Sequence, residues 1–372
     1  MKAIGIILAG GNSNRMKELT AKRAVPALPI AGSFRAIDFS LSSMSNSHIQ
    51  TVAVLTQYNA RSLNEHLSSA KWWNFGRKQG GLFLFTPTVT ADNSDWYRGT
   101  ADAMYQNIDF LKRRHEPYVI ISSGDCVYKL DFNRVLDFHI EKKSDITVVC
   151  KDMMYNDDVS RFGVVRMDDE SRITEFDEKP IDASSNTIST GIYVIRRRQL
   201  IELLEAAAEE NRFDFVNDIL VRYKNVKKIY GYKINSYWNN IADIDAYFKT
   251  NMDFLRPDVR SYFFKEEPTI CSKVDDLPPA KFNPGSDISN SLVSSGCIIN
   301  GSVEDSVLFK QVFVGKNTTV KNCVLLNDVY IGDNVHLENC IVESRGTINP
   351  NTCYCGEDGV MIVKEKNVRY VI

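Results

Sequence analysis

The residues best suited to chemistry come first in the chain, where Ile6-Ile7-Leu8-Ala9 runs into Gly10-Gly11-x-Ser13-x-Arg15. Glycines directly after an apolar strand let backbone N–H groups approach phosphate oxygens, and an arginine adds a charge-assisted contact. The loop is too short for a P-loop and lacks its Lys-Ser/Thr ending, and it lacks the third glycine of a dinucleotide fingerprint. Its chemistry is therefore the holding of anionic oxygens by backbone and one cation.

Such a loop needs a rigid sheet behind it. Apolar runs at Thr51–Leu55, Tyr118–Ile121 and Ile146–Val149 read as buried strands, with helix-like segments at Ala60–Ser69, Ala101–Arg113, Phe132–Lys142 and Arg198–Glu210 between them. This alternation predicts a Rossmann-like α/β domain over residues 1–255, with a mostly parallel sheet covered on both faces. Ligands on such sheets sit at the carboxyl ends of strands, where the glycine loop falls. Residues 256–285, with Pro278-Pro279 and Pro284-Gly285, read as a linker. From 286 to 372 the texture changes. Ser291, Ser306, Cys323 and Cys340 recur every 15 to 17 residues inside a short apolar, polar, polar, small, apolar pattern, close to three hexapeptides per coil. That period predicts a left-handed parallel β-helix.

Composition narrows the class. The chain has 372 residues, 44% hydrophobic and 25% charged, with a net charge of −2. The near-neutral balance gives no global field for nucleic acid or an anionic membrane. The apolar start ends in Gly10-Gly11 without a cleavage site, so a strand rather than a signal peptide is expected. Of eight cysteines only Cys353 and Cys355 are close, so zinc spacing is absent and the scattered thiols fit a reducing cytoplasm. His48, His66, His115, His139 and His336 show no ligand spacing and read as surface or helix-end residues. The basic runs Lys112–His115 and Arg196–Arg198 read as solvated faces or helix ends, with an anionic effector as the other reading. Trp72-Trp73 fits either a core or a subunit contact.

Specificity comes from combination. Arg23-Ala-Val25-Pro, Phe34-Arg-Ala-Ile-Asp-Phe39, Trp96-Tyr-Arg-Gly99-Thr100-Ala-Asp-Ala103, Gly124-Asp125, Phe176-x-Glu178-Lys179-Pro180 and Ser189-Thr-Gly-Ile-Tyr193 follow in that order. Together they closely resemble the glucose-1-phosphate adenylyltransferase (ADP-glucose pyrophosphorylase) family of bacterial glycogen synthesis. The resemblance implies that Gly10, Gly11 and Arg15 line the nucleotide phosphates and that Gly99 and Thr100 present backbone to the adenine side. It implies Mg²⁺ at Asp125, and glucose 1-phosphate held by Glu178 and Lys179 with Ser189 and Asp214 nearby. The family's reaction is attack of the sugar phosphate on the ATP α-phosphorus with release of pyrophosphate, in which positioning and charge neutralisation dominate.

The departures from that template cluster. Ser13 stands where active members have a second loop glycine, Val25 where they have a lysine, and Asn240 where they have a second metal-binding aspartate. The resemblance therefore implies a GlgD-type regulatory subunit, weakly active or inactive alone. Mg²⁺ would be held weakly or not at all, and a GlgC-type catalytic subunit would be the partner in a heterotetramer. Sugar-phosphate effectors also belong to the expectation. Lys17, Lys22 and Asp243 are the neighbours able to compensate, which keeps a self-sufficient adenylyltransferase as the alternative.

Overall fold

A nearly unbroken apolar run puts the first strand, β1 (Ala3–Leu8), in the middle of a sheet buried on both faces. The computed structural model describes residues 2–11, 14–76, 80–88, 95–154 and 157–364. After β1 come the short hairpin β2 (Pro29–Ile30) and β3 (Phe34–Arg35), then β4 (Thr51–Leu55), β5 (Gly81–Phe85), β6 (Tyr118–Ser123) and β7 (Cys126–Tyr128). They are followed by β8 (Ile146–Asp152), β9 (Gly163–Met167), β10 (Ile173–Glu178), β11 (Thr187–Arg196), β12 (Ile229–Lys233) and β13 (Trp238–Asn240). The main sheet runs β10-β9-β11-β6-β1-β4-β5, with β8 added to β11 and β12 to β8. Strands β5, β4, β1 and β6 are mutually parallel. Strand β11 runs against β6 and β8. The chain leaves β1 to one side for β4 and β5 and crosses to the other for β6, which opens a crevice at the carboxyl ends of β1 and β6.

Side-chain alternation splits the core in two. Ile7, Val54 and Ile120 face one layer of helices, and Ile6, Ala53 and Ile121 face the other. The helices are α1 (Ala36–Asn46), α2 (Arg61–Leu67), α3 (Thr100–Tyr105), α4 (Ile108–Lys112), α5 (Phe132–Glu141), α6 (Arg197–Glu209), α7 (Ile244–Asp253) and α8 (Pro257–Phe264). The single helix expected over Ala101–Arg113 is two. Asn107 breaks it, because its side-chain amide donates to Ala103 O and Tyr97 Oη, each at 2.9 Å, and so competes with the helical ladder.

The stretch expected as a linker begins with α8. Pro257 starts that helix where a missing N–H is harmless, and Phe263 is buried edge-on to Phe39. Lys281–Phe282 already pairs with Ile298–Ile299, so the next fold starts a little before residue 286. It consists of three five-stranded parallel sheets, the walls of a β-helix. The small-residue column is real. Ser291, Ser306, Cys323 and Cys340 each donate to the carbonyl two residues back, at 2.7, 2.6, 3.0 and 3.0 Å. Just before them Asn290, Asp305, Asn322 and Asn339 turn the corner at φ 39, 45, 47 and 53°. Asn and Asp tolerate this left-handed backbone better than other side chains.

The two parts share a core in which Val307, Phe309, Val324 and Ile341 of the β-helix meet Phe39, Phe248 and Phe254. An ion pair of Arg23 with Glu343, 17% and 14% exposed, closes the seam. His66 and His139 stand in the last turns of α2 and α5, as expected of helix-end residues, but both are buried. His66 Nε2 meets Asp38 Oδ1 at 2.6 Å, and His139 Nδ1 meets Thr147 Oγ1 at 2.8 Å. The basic runs also have structural partners. Lys112 pairs with Glu205, Arg114 covers Phe83 and Phe110, and Arg197 donates to Glu116 O and Leu111 O. Trp73 is core, with Nε1 donating to Cys271 O at 3.1 Å. No helix among the described residues is long and apolar enough to cross a membrane.

Candidate functional site

A cavity of about 850 Å³ lies at the carboxyl ends of the central strands. Gly10, Gly11, Arg15, Val25, Gly99, Thr100, Asp125, Glu178, Lys179, Ser189 and Asn240 all line it. One crevice thus collects residues spread over most of the α/β domain.

The glycine loop leaves β1 pinned on both sides, since Ala9 N donates to Leu55 O at 2.8 Å and Gly124 N to Leu8 O at 2.9 Å. A Cβ on Gly11 would meet nothing within 4 Å, so this backbone faces open cavity. Ser13 lies outside the described residues. Gly99 is needed for a different reason: a Cβ there would stand 2.3 Å from Phe213 O. Thr100 lines the cavity, but its hydroxyl already accepts from Phe215 N at 2.9 Å. Gln57, Tyr58, Tyr97 and Arg98 line the same side of the cavity.

Asp125 follows β6 in the turn to β7 and accepts from Ser123 Oγ at 2.5 Å. Strand β13 pairs antiparallel with β7 and sets Asn240 opposite Cys126, while Ile241 N donates to Asp125 O at 3.0 Å. The ribbon therefore brings the two positions expected for metal binding side by side. Both ends of the Asn240 amide are engaged: Nδ2 donates to Cys126 Sγ at 3.4 Å, and Oδ1 accepts from Ala242 N at 3.0 Å. At this end of the cleft Asp125 is the one carboxylate among the described lining residues. A divalent ion there would have one protein charge and would have to draw its other ligands from elsewhere.

Val25 is 4% exposed and packs with Met16, Leu19 and Leu28, adding an apolar wall where neutralising charge was sought. The neighbours able to compensate are placed elsewhere. Lys17 and Lys22 are exposed and do not line the cavity. Asp243 caps α7 by accepting from Ala246 N at 2.8 Å, and it pairs with Arg161.

The other end is better furnished. Lys179 Nζ lies 3.2 Å from Glu178 Oε1. Burial raises the Glu178 carboxyl above its usual range, and Lys179 partly opposes that. Lys179 adopts φ 51°, a strained backbone for a residue with a side chain, and its N–H donates to Phe162 O at 3.1 Å. Ser189 Oγ donates to Tyr193 Oη at 3.2 Å. Asp214 does not line the cavity, though its charge acts on Glu178 and Tyr193 beside it. Its carboxylate accepts from Asn217 N at 2.7 Å.

Three contributors were not legible in sequence. Arg161 enters from the loop before β9. Burial lowers its pKa, and Arg15 lowers it further, so two cations converge on one region. Gln57 brackets the Tyr97 backbone, accepting from its N–H at 2.6 Å and donating to its carbonyl at 3.2 Å. Cys126 is buried beneath Asp125 and Asn240. None of these residues carries a pattern; each also acts through a neighbour distant in sequence, Arg161 through Arg15, Gln57 through Tyr97 and Cys126 through Asn240. At the rim, Tyr58 and Trp96 stack with centroids 5.9 Å apart.

Comparison with known proteins agrees with this architecture. The nucleotidyl transferase family model matches residues 4–256. The GlmU-like C-terminal hexapeptide model matches residues 278–362, in accord with a left-handed β-helix. The glucose-1-phosphate adenylyltransferase of Clostridium novyi (strain NT) is 38% identical over 318 residues, covering 85% of this chain and 83% of that protein. The protein of the same name from Pseudothermotoga lettingae is 39% identical over 319 residues, covering 85% and 76%. That of Bacillus subtilis (strain 168) is 36% identical over 321 residues, covering 86% and 84%. With a glycine-loop cleft on a parallel sheet, a hexapeptide β-helix behind it and relatives aligned across both parts, the chain belongs to the glucose-1-phosphate adenylyltransferase family.

Proposed function

We propose that this chain is a regulatory, weakly active or inactive subunit of a glucose-1-phosphate adenylyltransferase in bacterial glycogen biosynthesis, of GlgD type. It binds sugar phosphate and nucleotide and modulates a GlgC-type catalytic partner within a cytoplasmic heterotetramer. The observation that carries this reading is the Asn240 amide beside Asp125, neutral and already hydrogen-bonded at both ends. The apolar wall at Val25 supports it.

In the family's reaction an oxygen of the sugar phosphate attacks the ATP α-phosphorus and pyrophosphate leaves. The backbone of Gly10 and Gly11, with Arg15 and Arg161, would hold phosphate oxygens. Glu178 would accept from sugar hydroxyls, and Lys179 would meet the sugar's phosphate. Mg²⁺, when bound, supplies neutralisation of the phosphate charge, and Asp125 is the residue that would hold it. Losing one preorganised electrostatic stabiliser typically costs about 3–4 kcal/mol, or roughly 10²–10³ in rate. Two independent losses put lone-chain turnover some 10⁴–10⁶ below an active relative, and coupling between them narrows that gap.

A second reading, a self-sufficient adenylyltransferase, draws on Arg15, Arg161, Asp125 and Lys179 sharing one cleft. Pyrophosphate release separates the two. The purified chain alone is expected to turn over slowly, and mixing it with a GlgC-type homologue should give a mixed tetramer with altered response to substrates and sugar-phosphate effectors. Robust turnover by the lone chain would favour the second reading.

A further inference from the structure

The outer wall of the β-helix brings together four side chains that the linear sequence keeps apart. Strands His336–Glu338 and Cys353–Cys355 are the last two rungs of one parallel sheet, in register His336 to Cys353 and Glu338 to Cys355. The middle residues Leu337 and Tyr354 pack into the helix interior. Strand alternation then sends His336, Glu338, Cys353 and Cys355 to the same outer face as a two-by-two grid. His336 Nε2 lies 3.6 Å from Glu338 Oε2, and Cys353 Sγ lies 3.6 Å from Cys355 Sγ. The donor atoms of His336, Glu338 and Cys355 all lie within 4.8 Å of one another.

We propose that this grid is a structural zinc site, with His336, Glu338, Cys353 and Cys355 as its four ligands. Tetrahedral Zn²⁺ with bonds of about 2.3 Å to sulfur and about 2.0–2.1 Å to nitrogen or oxygen needs donors roughly 3.4–3.8 Å apart. Both measured edges of the grid meet that requirement; Cys353 lies outside the cluster of His336, Glu338 and Cys355 donors, and its exposed thiol must rotate toward them to complete the set. Two thiolates and an imidazole select a soft divalent ion over Mg²⁺ or Ca²⁺. Binding would release the two thiol protons to solvent, so uptake strengthens as pH rises. The ion would staple the last two coils together, and none of its ligands lines the cleft. The site was invisible in sequence because its halves stand 17 residues apart, one full coil.

Cobalt(II) is the probe. The reduced full-length chain should take up one equivalent, with thiolate-to-cobalt charge-transfer bands and the intense visible bands of a tetrahedral ion, both bleached by Zn²⁺. Zn²⁺ should also raise the midpoint of thermal unfolding. Cys353→Ser with Cys355→Ser should abolish the charge-transfer bands. His336→Ala should lower affinity by more than the roughly 10–100-fold that loss of an outer partner costs. All these residues are on the outer wall, so circular dichroism should report unchanged folding. Cys271→Ser, at an exposed thiol elsewhere, should leave the spectrum intact. No stoichiometric cobalt uptake by the reduced chain, or a spectrum that survives the double serine variant, overturns the site. So does a Cys353–Cys355 disulfide that persists under reducing conditions.

Discussion

Asn240 and Cys126 face each other across the β7–β13 ribbon, amide nitrogen to sulfur at 3.4 Å. This contact explains why a neutral residue is stable one step from Asp125. A carboxylate at position 240 would meet a thiol and the Asp125 charge together, and a divalent ion between the two would favour its ionised form. With the amide, the ribbon closes without an ion. The cleft keeps its shape and has fewer charges to neutralise a triphosphate.

Arg161 should matter to phosphate binding although no motif marks it. Its Nε is buried without a hydrogen-bond partner among the described residues, and it shares the cleft with Arg15. Hydrogen bonds to charged groups contribute about 1.5–3 kcal/mol, so Arg161→Gln should weaken ATP binding by about tenfold or more in calorimetric titration. Unchanged affinity would assign Arg161 to pairing with Asp243 alone.

Glu178 should make sugar-phosphate binding pH-dependent. Its carboxyl is raised by burial, so acceptance of sugar hydroxyls should weaken as pH falls through that raised value. The ligand's phosphate titrates too, so the informative quantity is the difference between wild type and Glu178→Gln, which should flatten. Linkage gives a second sign. A carboxyl raised on folding favours the native state at low pH and opposes it once ionised. Glu178→Gln should therefore be the more stable protein at neutral pH, an advantage that fades in acid.

His139 should dominate part of the acid limb of stability. Its pKa is lowered from 6.5 to about 4, first by burial and then by Arg196. A depressed histidine binds protons more readily in the unfolded chain, so its contribution is complete above about pH 6.5 and is lost as pH falls toward 4. At 1.36 kcal/mol per unit the loss approaches about 3 kcal/mol. His139→Gln, which can keep the Thr147 contact, should lack this slope in urea midpoints measured across that range. An unchanged slope would place the acid sensitivity elsewhere.

The sheet and the β-helix were readable because their signals are local. Thr51–Leu55 is an apolar run that became a strand with the same ends, and the Ser/Cys column repeats with each coil. The helix break at Asn107 was not readable, because the residue is ordinary until its amide finds Tyr97. Within the cleft, the glycine loop, Asp125, Glu178 and Lys179, each marked by a motif, line one cavity, whereas Asp214 does not. Arg161 and Gln57 stayed hidden since their work is defined by tertiary neighbours. The same holds for the buried pair of His66 and Asp38, two residues whose spacing says nothing of contact.

The central claim is that charge lost at positions 25 and 240 limits this cleft. Its most direct test is Mg²⁺-dependent pyrophosphate release by the lone chain before and after Val25→Lys with Asn240→Asp. Val25 lines the cavity, which gives a lysine stem there a route along the apolar wall to carry its ammonium into it, and circular dichroism checks that the double variant folds. The account predicts a gain of at least about 10²-fold that needs Mg²⁺ and disappears on adding Asp125→Asn. Brisk turnover by the unaltered chain, or no gain in a folded double variant, would contradict it.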